Sequence, residues 1–328
     1  MAEGSIFLPN IFLFFDYDLT LTEESAQDPI FRDNLEALKE VYKDIFPIKK
    51  ADDYWEMLNH QHEGGDREIT YLQNLLRDIE RGVLIRDGKK LTAEDLFYYG
   101  SKVKLSPGVR EFLVSIKEEW KDKANIEIYI ISVGMMNLIK GAELEGIDGI
   151  YASELVAKDD CPYVNWIHKF INSFSKTSKI IEVAKGKDLN AKLRPRDYRL
   201  KYENCLYFGD GMSDLSAIGY LRKKRGKTVG VYESGNMEAY LRAHEKLGAY
   251  IDALLPRDYT PGGKTHSIIN CFIQEILDPD RCIFPGPLLH MDRKGEEMDE
   301  ETKKHVQLHY QSCRQCSPAI FTAMIPPS

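Results

Sequence analysis

Ile11-Phe12-Leu13-Phe14-Phe15 is an unbroken apolar run that stops at Asp16. A run without polar alternation predicts a strand covered on both faces. The next stretch changes period. Asn34 to Val41, Ile69 to Ile79 and Thr92 to Val103 have helical spacing, with Ile69, Leu72, Leu75, Leu76 and Ile79 on one stripe. Thr92 and Asp95 form a helix-capping pair, and Tyr54, Trp55 and Leu58 are the core candidates of this helical segment.

From Ser106-Pro107, read as an N-cap followed by proline at the first helical position, the pattern alternates. The predicted strands are Ile126 to Ile131, Gly149 to Ser153, Cys205 to Phe208, Thr228 to Tyr232 and Tyr250 to Leu255. The predicted helices carry Val109 to Trp120, Met136 to Leu144, Lys176 to Ala184, Asp214 to Leu221, Met237 to Leu247 and Thr265 to Leu277. Such alternation implies an α/β fold, a doubly wound parallel sheet between helices. Residues 1–22 and 104–277 are assigned to that core, 23–103 to a helical insertion after the first strand, and 278–328 to a tail of uncertain structure.

Composition narrows the class. The 328 residues are 43% hydrophobic and 29% charged, which excludes disordered, collagenous and disulfide-dense chains. The net charge of −8 argues against nucleic acid as a main partner. Six cysteines are too few for a disulfide framework and read as reduced thiols of a cytoplasmic protein. The apolar run from Ile6 is broken by Pro9 and Asn10 and lacks a basic flank, so it is a strand and not a signal peptide. No apolar run is long enough to span a membrane.

Ligands of parallel α/β sheets sit at the carboxyl ends of the strands. Four such places carry matching polar residues: Asp16-Tyr17-Asp18-Leu19-Thr20, Ser132, Lys176 within Ser175-Lys176-Thr177, and Gly209-Asp210-Gly211-Met212-Ser213-Asp214. Carboxylates at i and i+2 on an extended exit point to one side. With hard oxygen donors they suit Mg2+.

In this order the four segments resemble the motifs of the haloacid dehalogenase-like hydrolase superfamily, over roughly residues 10 to 275 and including the position of a helical cap. The resemblance implies a Rossmann-like core and a Mg2+-dependent phosphatase of small phosphorylated metabolites, most like the phosphoserine phosphatase type. Asp16 would be the nucleophile and Asp18 the acid/base. Ser132, Lys176, Thr20 and Gly134 would serve the phosphate, Lys169 and Lys179 being the competing lysines. Asp16, Asp18 through its main chain, Asp210 and Asp214 would hold or support the metal. Gly134 and Gly211 would allow close backbone approach. A phosphomutase, a lyase or cyclase on an organic diphosphate, and a non-catalytic interaction protein remain open alternatives. His60-Gln61-His62-Glu63 reads as a polar loop. Cys313 and Cys316 lack the second pair of a zinc site.

Overall fold

The structure, a computed structural model, describes residues 8–61, 66–186 and 189–278. The side chains of residues 59–61, the rest of the His60–Glu63 segment, Cys282, Cys313, Cys316 and the tail from 279 lie outside the described residues.

The first strand, β1, is Asn10–Phe15. Its register places it between β4 (Asn125–Met135) and β7 (Cys205–Gly209), parallel to both. Beyond β4 lie β5 (Gly149–Val156) and the antiparallel edge strand β6 (Trp166–Lys169); beyond β7 lie β8 (Lys227–Tyr232) and β9 (Ala253–Pro256). The result among the described residues is a seven-stranded sheet, parallel except at β6.

Two covered faces explain the apolar runs. Ile11, Leu13 and Phe15 point into a core shared with α6 (Val109–Trp120) and α11 (Lys264–Leu277). Phe12 and Phe14 point the other way, against α8 (Ser175–Lys185) and α9 (Leu215–Lys223). Each such buried side chain contributes about 1.5–3 kcal/mol relative to exposure. The remaining core helices are α7 (Met136–Gly141) and α10 (Met237–Leu247).

Between β1 and α6 the chain forms α1 (Asp28–Asp33), α2 (Leu35–Tyr42), α3 (Asp53–Gln61), α4 (Arg67–Glu80) and α5 (Ala93–Gly100), with the small hairpin β2 (Ile85–Arg86) and β3 (Lys89–Lys90). Thr92 and Asp95 make the reciprocal capping bonds at α5. Tyr54 and Leu58 are buried, as expected, and Trp55 packs against them in part. The hydroxyls of Tyr42 and Tyr54 donate to the buried Asp78 carboxylate at 2.6–2.8 Å, so these helices share a satisfied polar anchor.

Ser106 does not cap α6. The N-cap is Gly108 at φ +72°, and the buried Ser106 hydroxyl is without a hydrogen-bond partner. The cause is tertiary: a Cβ at Gly108 would meet the Thr260 backbone nitrogen at 2.3 Å. Cys161, Cys205 and Cys271 are unpaired. No helix among the described residues is long and apolar enough to cross a membrane.

Candidate active site

The carboxyl ends of β4, β1 and β7 lie side by side, and the strand order reverses across β1, where open α/β sheets form a ligand crevice. Asp16 enters it with its backbone N–H donating to the Phe208 carbonyl at 2.9 Å. The chain then turns back: the amides of Thr20 and Leu21 donate to the Tyr17 carbonyl at 3.2 and 2.9 Å. Thr22 Oγ1 holds this turn, accepting from the Leu19 amide at 3.0 Å and donating to the Glu24 carbonyl at 2.6 Å. The Ala26 amide donates to Asp18 Oδ1 at 2.6 Å. Thr20 is buried with its hydroxyl unpartnered, and the bond that reaches the Asp18 side chain comes from the Ala26 amide.

Lys176 reaches the same point from the first turn of α8. That turn is set by Asn172 and Ser175, which exchange bonds between the Asn172 amide and Ser175 Oγ at 2.8 Å and between the Ser175 amide and Asn172 Oδ1 at 2.9 Å. The Lys176 ammonium is fully buried, 2.9 Å from Asp16 Oδ1, and donates to Asp214 Oδ1 at 2.7 Å. Lys169 and Lys179 pair instead with Glu154 and Glu182 at 2.9 and 2.8 Å. The Tyr207 hydroxyl also donates to Asp214 Oδ1, at 2.7 Å. A Cβ at Gly209 would lie 2.3 Å from Asp214 Cγ, whereas one at Gly211 would meet nothing within 4 Å. Close approach is therefore required at Gly209, not at Gly211.

Ser132 lies inside β4 rather than beyond its end. The strand continues to Met135 with a register shift after Ile131, a bulge of the kind that re-aims side chains. The Gly134 amide donates to Ser132 Oγ at 3.0 Å. A Cβ on Gly134 would stand 2.8 Å from Asp18 Oδ2 and 3.1 Å from Ser132 Oγ, so Asp18 and Ser132 meet at this glycine.

Two residues without a motif complete the loop. Arg257, just past β9, donates from Nη1 to the Leu19 carbonyl at 2.9 Å and from Nη2 to the Glu23 carbonyl at 3.4 Å. The Tyr259 hydroxyl donates to the Thr20 carbonyl at 3.1 Å. Together with Asp210 and Leu19, Arg257 lines a cleft of about 280 Å³.

Burial is the largest influence on Asp16, Asp18 and Asp210. It pushes the Asp18 carboxyl up to about 6, against the Ala26 amide and Lys176, which favour the carboxylate. It pushes Asp210 up to about 7, helped by Asp214. Asp16 is raised well above the ordinary range because burial, Asp214 and Asp210 together outweigh Lys176. For Lys176 burial disfavours the charge, yet Asp16 and Asp214 outweigh it and hold the ammonium more firmly than in a free lysine. One buried ammonium thus faces more negative charge than it balances. Carboxylate oxygens of Asp16, Asp210 and Asp214 lie within 4.8 Å of one another. Hard oxygen donors with uncompensated negative charge fit a divalent cation such as Mg2+.

Among solved structures, a phosphoserine phosphatase in apo form aligns at 17% identity over 80% of this chain and 98% of its own, with a TM-score of 0.47. A substrate-bound phosphoserine phosphatase complex aligns at 15% identity over 80% and 97%, TM-score 0.46. A HAD family hydrolase from Salmonella enterica serovar Typhi aligns at 18% identity over 74% and 69%, TM-score 0.44. The curated proteins give no match. The model of the haloacid dehalogenase-like hydrolases matches residues 13–218, a span that opens in β1, runs through α1 to α5 and closes in α9 just after Asp210 and Asp214. With that match over well over half its length, on a sheet whose central strand leads directly into the loop of Asp16 and Asp18, the chain belongs to the haloacid dehalogenase-like hydrolase family.

Proposed function

We propose that this hydrolase is a Mg2+-dependent phosphatase that cleaves a small phosphate monoester through an aspartyl-phosphate on Asp16. The observation that carries the reading is the Lys176 ammonium set between Asp16 and Asp214, with Asp18 two residues along the same loop. Asp16, the main-chain carbonyl of Asp18 and Asp210 would hold the cation, with Asp214 in support; when bound it supplies charge neutralisation for an incoming phosphate.

A carboxyl oxygen of Asp16 attacks phosphorus as the bond to the ester oxygen breaks. Lys176 faces the charge that gathers on the phosphoryl oxygens, and the Ser132 hydroxyl donates to one of them. Asp18 gives its proton to the departing alkoxide. Its carboxylate then takes a proton from the water that attacks the aspartyl-phosphate, so inorganic phosphate leaves and Asp16 is regenerated. A carboxyl raised to about 6 can do both near neutral pH. The helical insertion, residues 23–103, is read as a cap over the site that excludes bulk water.

The test is inorganic phosphate release from a panel of monoesters, with and without a chelator. Release that stops on chelation is expected; a rearranged ester without free phosphate would replace this reading by a mutase.

Gly134→Ala probes the Asp18 geometry. The added methyl would displace a side-chain carboxylate and not backbone, so folding should lose less than about 1 kcal/mol. Turnover should fall by about 10- to 100-fold, the effect expected of a shift of an ångström at an acid/base group. Comparing kcat with the denaturation midpoint separates the two effects, and an unchanged kcat would remove Asp18 from its proposed role.

A further inference from the structure

The loop from Asp18 to Ala26 carries both a carboxyl group and the amide that bonds it. Local preference does not set its shape. Leu19 has φ +53°, in the left-handed region, where a leucine stays only if its surroundings hold it. What holds it comes from the exit of β9, the edge strand beyond β7 and β8. The Arg257 guanidinium donates to the carbonyls of Leu19 and Glu23, the two ends of one turn. Between them, the Tyr259 hydroxyl donates to the carbonyl of Thr20.

These donors stand on a fixed base. The Arg257 amide donates to the Tyr232 carbonyl at 2.6 Å, and the Tyr259 amide to the Pro107 carbonyl at 2.8 Å. Thr265 Oγ1 donates to the Pro256 carbonyl at 2.6 Å. The Tyr259 ring is buried against Phe15 and Phe112. The Arg257 side chain is buried too, and its planar fork fixes the spacing of the two carbonyls it bonds. The loop therefore conforms to these donors. Asp16 is held otherwise, by the Phe208 carbonyl and by Lys176, with no bond from β9 or its exit.

We infer that Arg257 and Tyr259 are positioning residues for Asp18: by fixing the carbonyls of Leu19, Thr20 and Glu23 they set where Asp18 meets the ester oxygen, and they serve the proton transfer and not the attack by Asp16. The catalytic half of this inference rests on the phosphatase reading; the holding of the loop does not.

Leaving-group chemistry separates this role from a general loss of structure. As the ester bond to phosphorus breaks, its oxygen departs with the bonding pair. An alkoxide needs the proton of Asp18, whereas 4-nitrophenolate is a stable anion and leaves without one. With Mg2+ present, kcat/KM is measured for glycerol phosphate and 4-nitrophenyl phosphate. Amide hydrogen exchange of residues 19–26 is followed in the metal-free full-length protein, with β7 as the internal control. Arg257→Met should lower kcat/KM by at least about tenfold for glycerol phosphate and by about threefold at most for 4-nitrophenyl phosphate. Exchange across 19–26 should quicken by at least about tenfold while β7 exchanges as before. Tyr259→Phe keeps the ring and loses only the bond to Thr20. It should move both readouts the same way by about two- to fivefold, and it decides should Arg257→Met fail to fold.

Arg257→Lys tests charge against reach, because Asp210, Glu233 and Glu23 also face the guanidinium charge. It keeps the charge but not the fork, and both readouts should fall between those of Arg257→Met and the unsubstituted protein. Values equal to the unsubstituted protein would mean that charge alone matters and would overturn the positioning role. Equal losses on the two esters, or unchanged exchange of 19–26, overturn it as well. Faster exchange in the variants of a chain that releases phosphate from neither ester, nor from any of the panel, would support the holding of the loop and overturn the phosphatase reading. Hydrolysis of both esters with equal losses would keep that reading and remove Arg257 and Tyr259 from the support of the acid.

Discussion

Replacing Asp16 by Asn is expected to lower phosphate release by at least about 10³-fold while leaving the metal-free fold as stable as before, or more so. The two halves of this expectation have one cause. Asn keeps the volume and the backbone bond to Phe208 but has no anionic oxygen to attack phosphorus. In the folded chain Asp16 is driven towards its protonated form by burial and by Asp214 and Asp210, which Lys176 does not fully offset. A neutral amide removes one charge from that excess, so strain that serves the chemistry is relieved. Single-turnover phosphate release and thermal unfolding in a chelator measure the two sides. Residual turnover within tenfold of the unsubstituted protein would refute Asp16 as the nucleophile. A large loss of stability would refute the charge-excess account.

The polarity pattern revealed those elements whose burial depends on the chain's own period. Ile11 to Phe15 is apolar at every position because helices cover both faces, and the helices carrying Ile69 to Ile79 and Met237 to Leu247 show one stripe each. Edge strand β6 was not visible, since Trp166-Ile167-His168-Lys169 is largely solvated and shows no apolar run. Helices α1 and α3 were missed as well; six and nine residues give too few turns for a stripe. At the site, Asp16, Asp18, Asp210 and Lys176 stood out because local motifs follow predicted strands or open a helix. Arg257 and Tyr259 did not, because they act through side-chain bonds to carbonyls more than 200 residues earlier in the chain. No residue-type pattern encodes a bond to a backbone carbonyl.

Lys176→Met should have the second largest effect, and on both stability and activity. In the folded chain this ammonium touches Asp16 and Asp214 with no water-exposed surface on its side chain. Removing it leaves two buried carboxylates without their cation, for which the expected loss is about 3–5 kcal/mol in metal-free protein. Mg2+ should restore part of that stability, because the same carboxylates gain a cation. Turnover should remain at least about 10²-fold low even with saturating Mg2+, since the charge opposite the transferring phosphoryl group is gone. A double-mutant cycle separates structural pairing from catalysis. Asp214→Asn alone should destabilise less than Lys176→Met, because Lys176 keeps Asp16 and Tyr207 can still donate to the amide oxygen. The double variant should recover part of the lost stability and none of the lost turnover. If Lys176→Met unfolds at the same denaturant concentration as the unsubstituted protein in a chelator, the carboxylates do not depend on Lys176. Recovery of turnover in the double variant would instead mean that Lys176 merely offsets Asp214 and does not face the phosphoryl group.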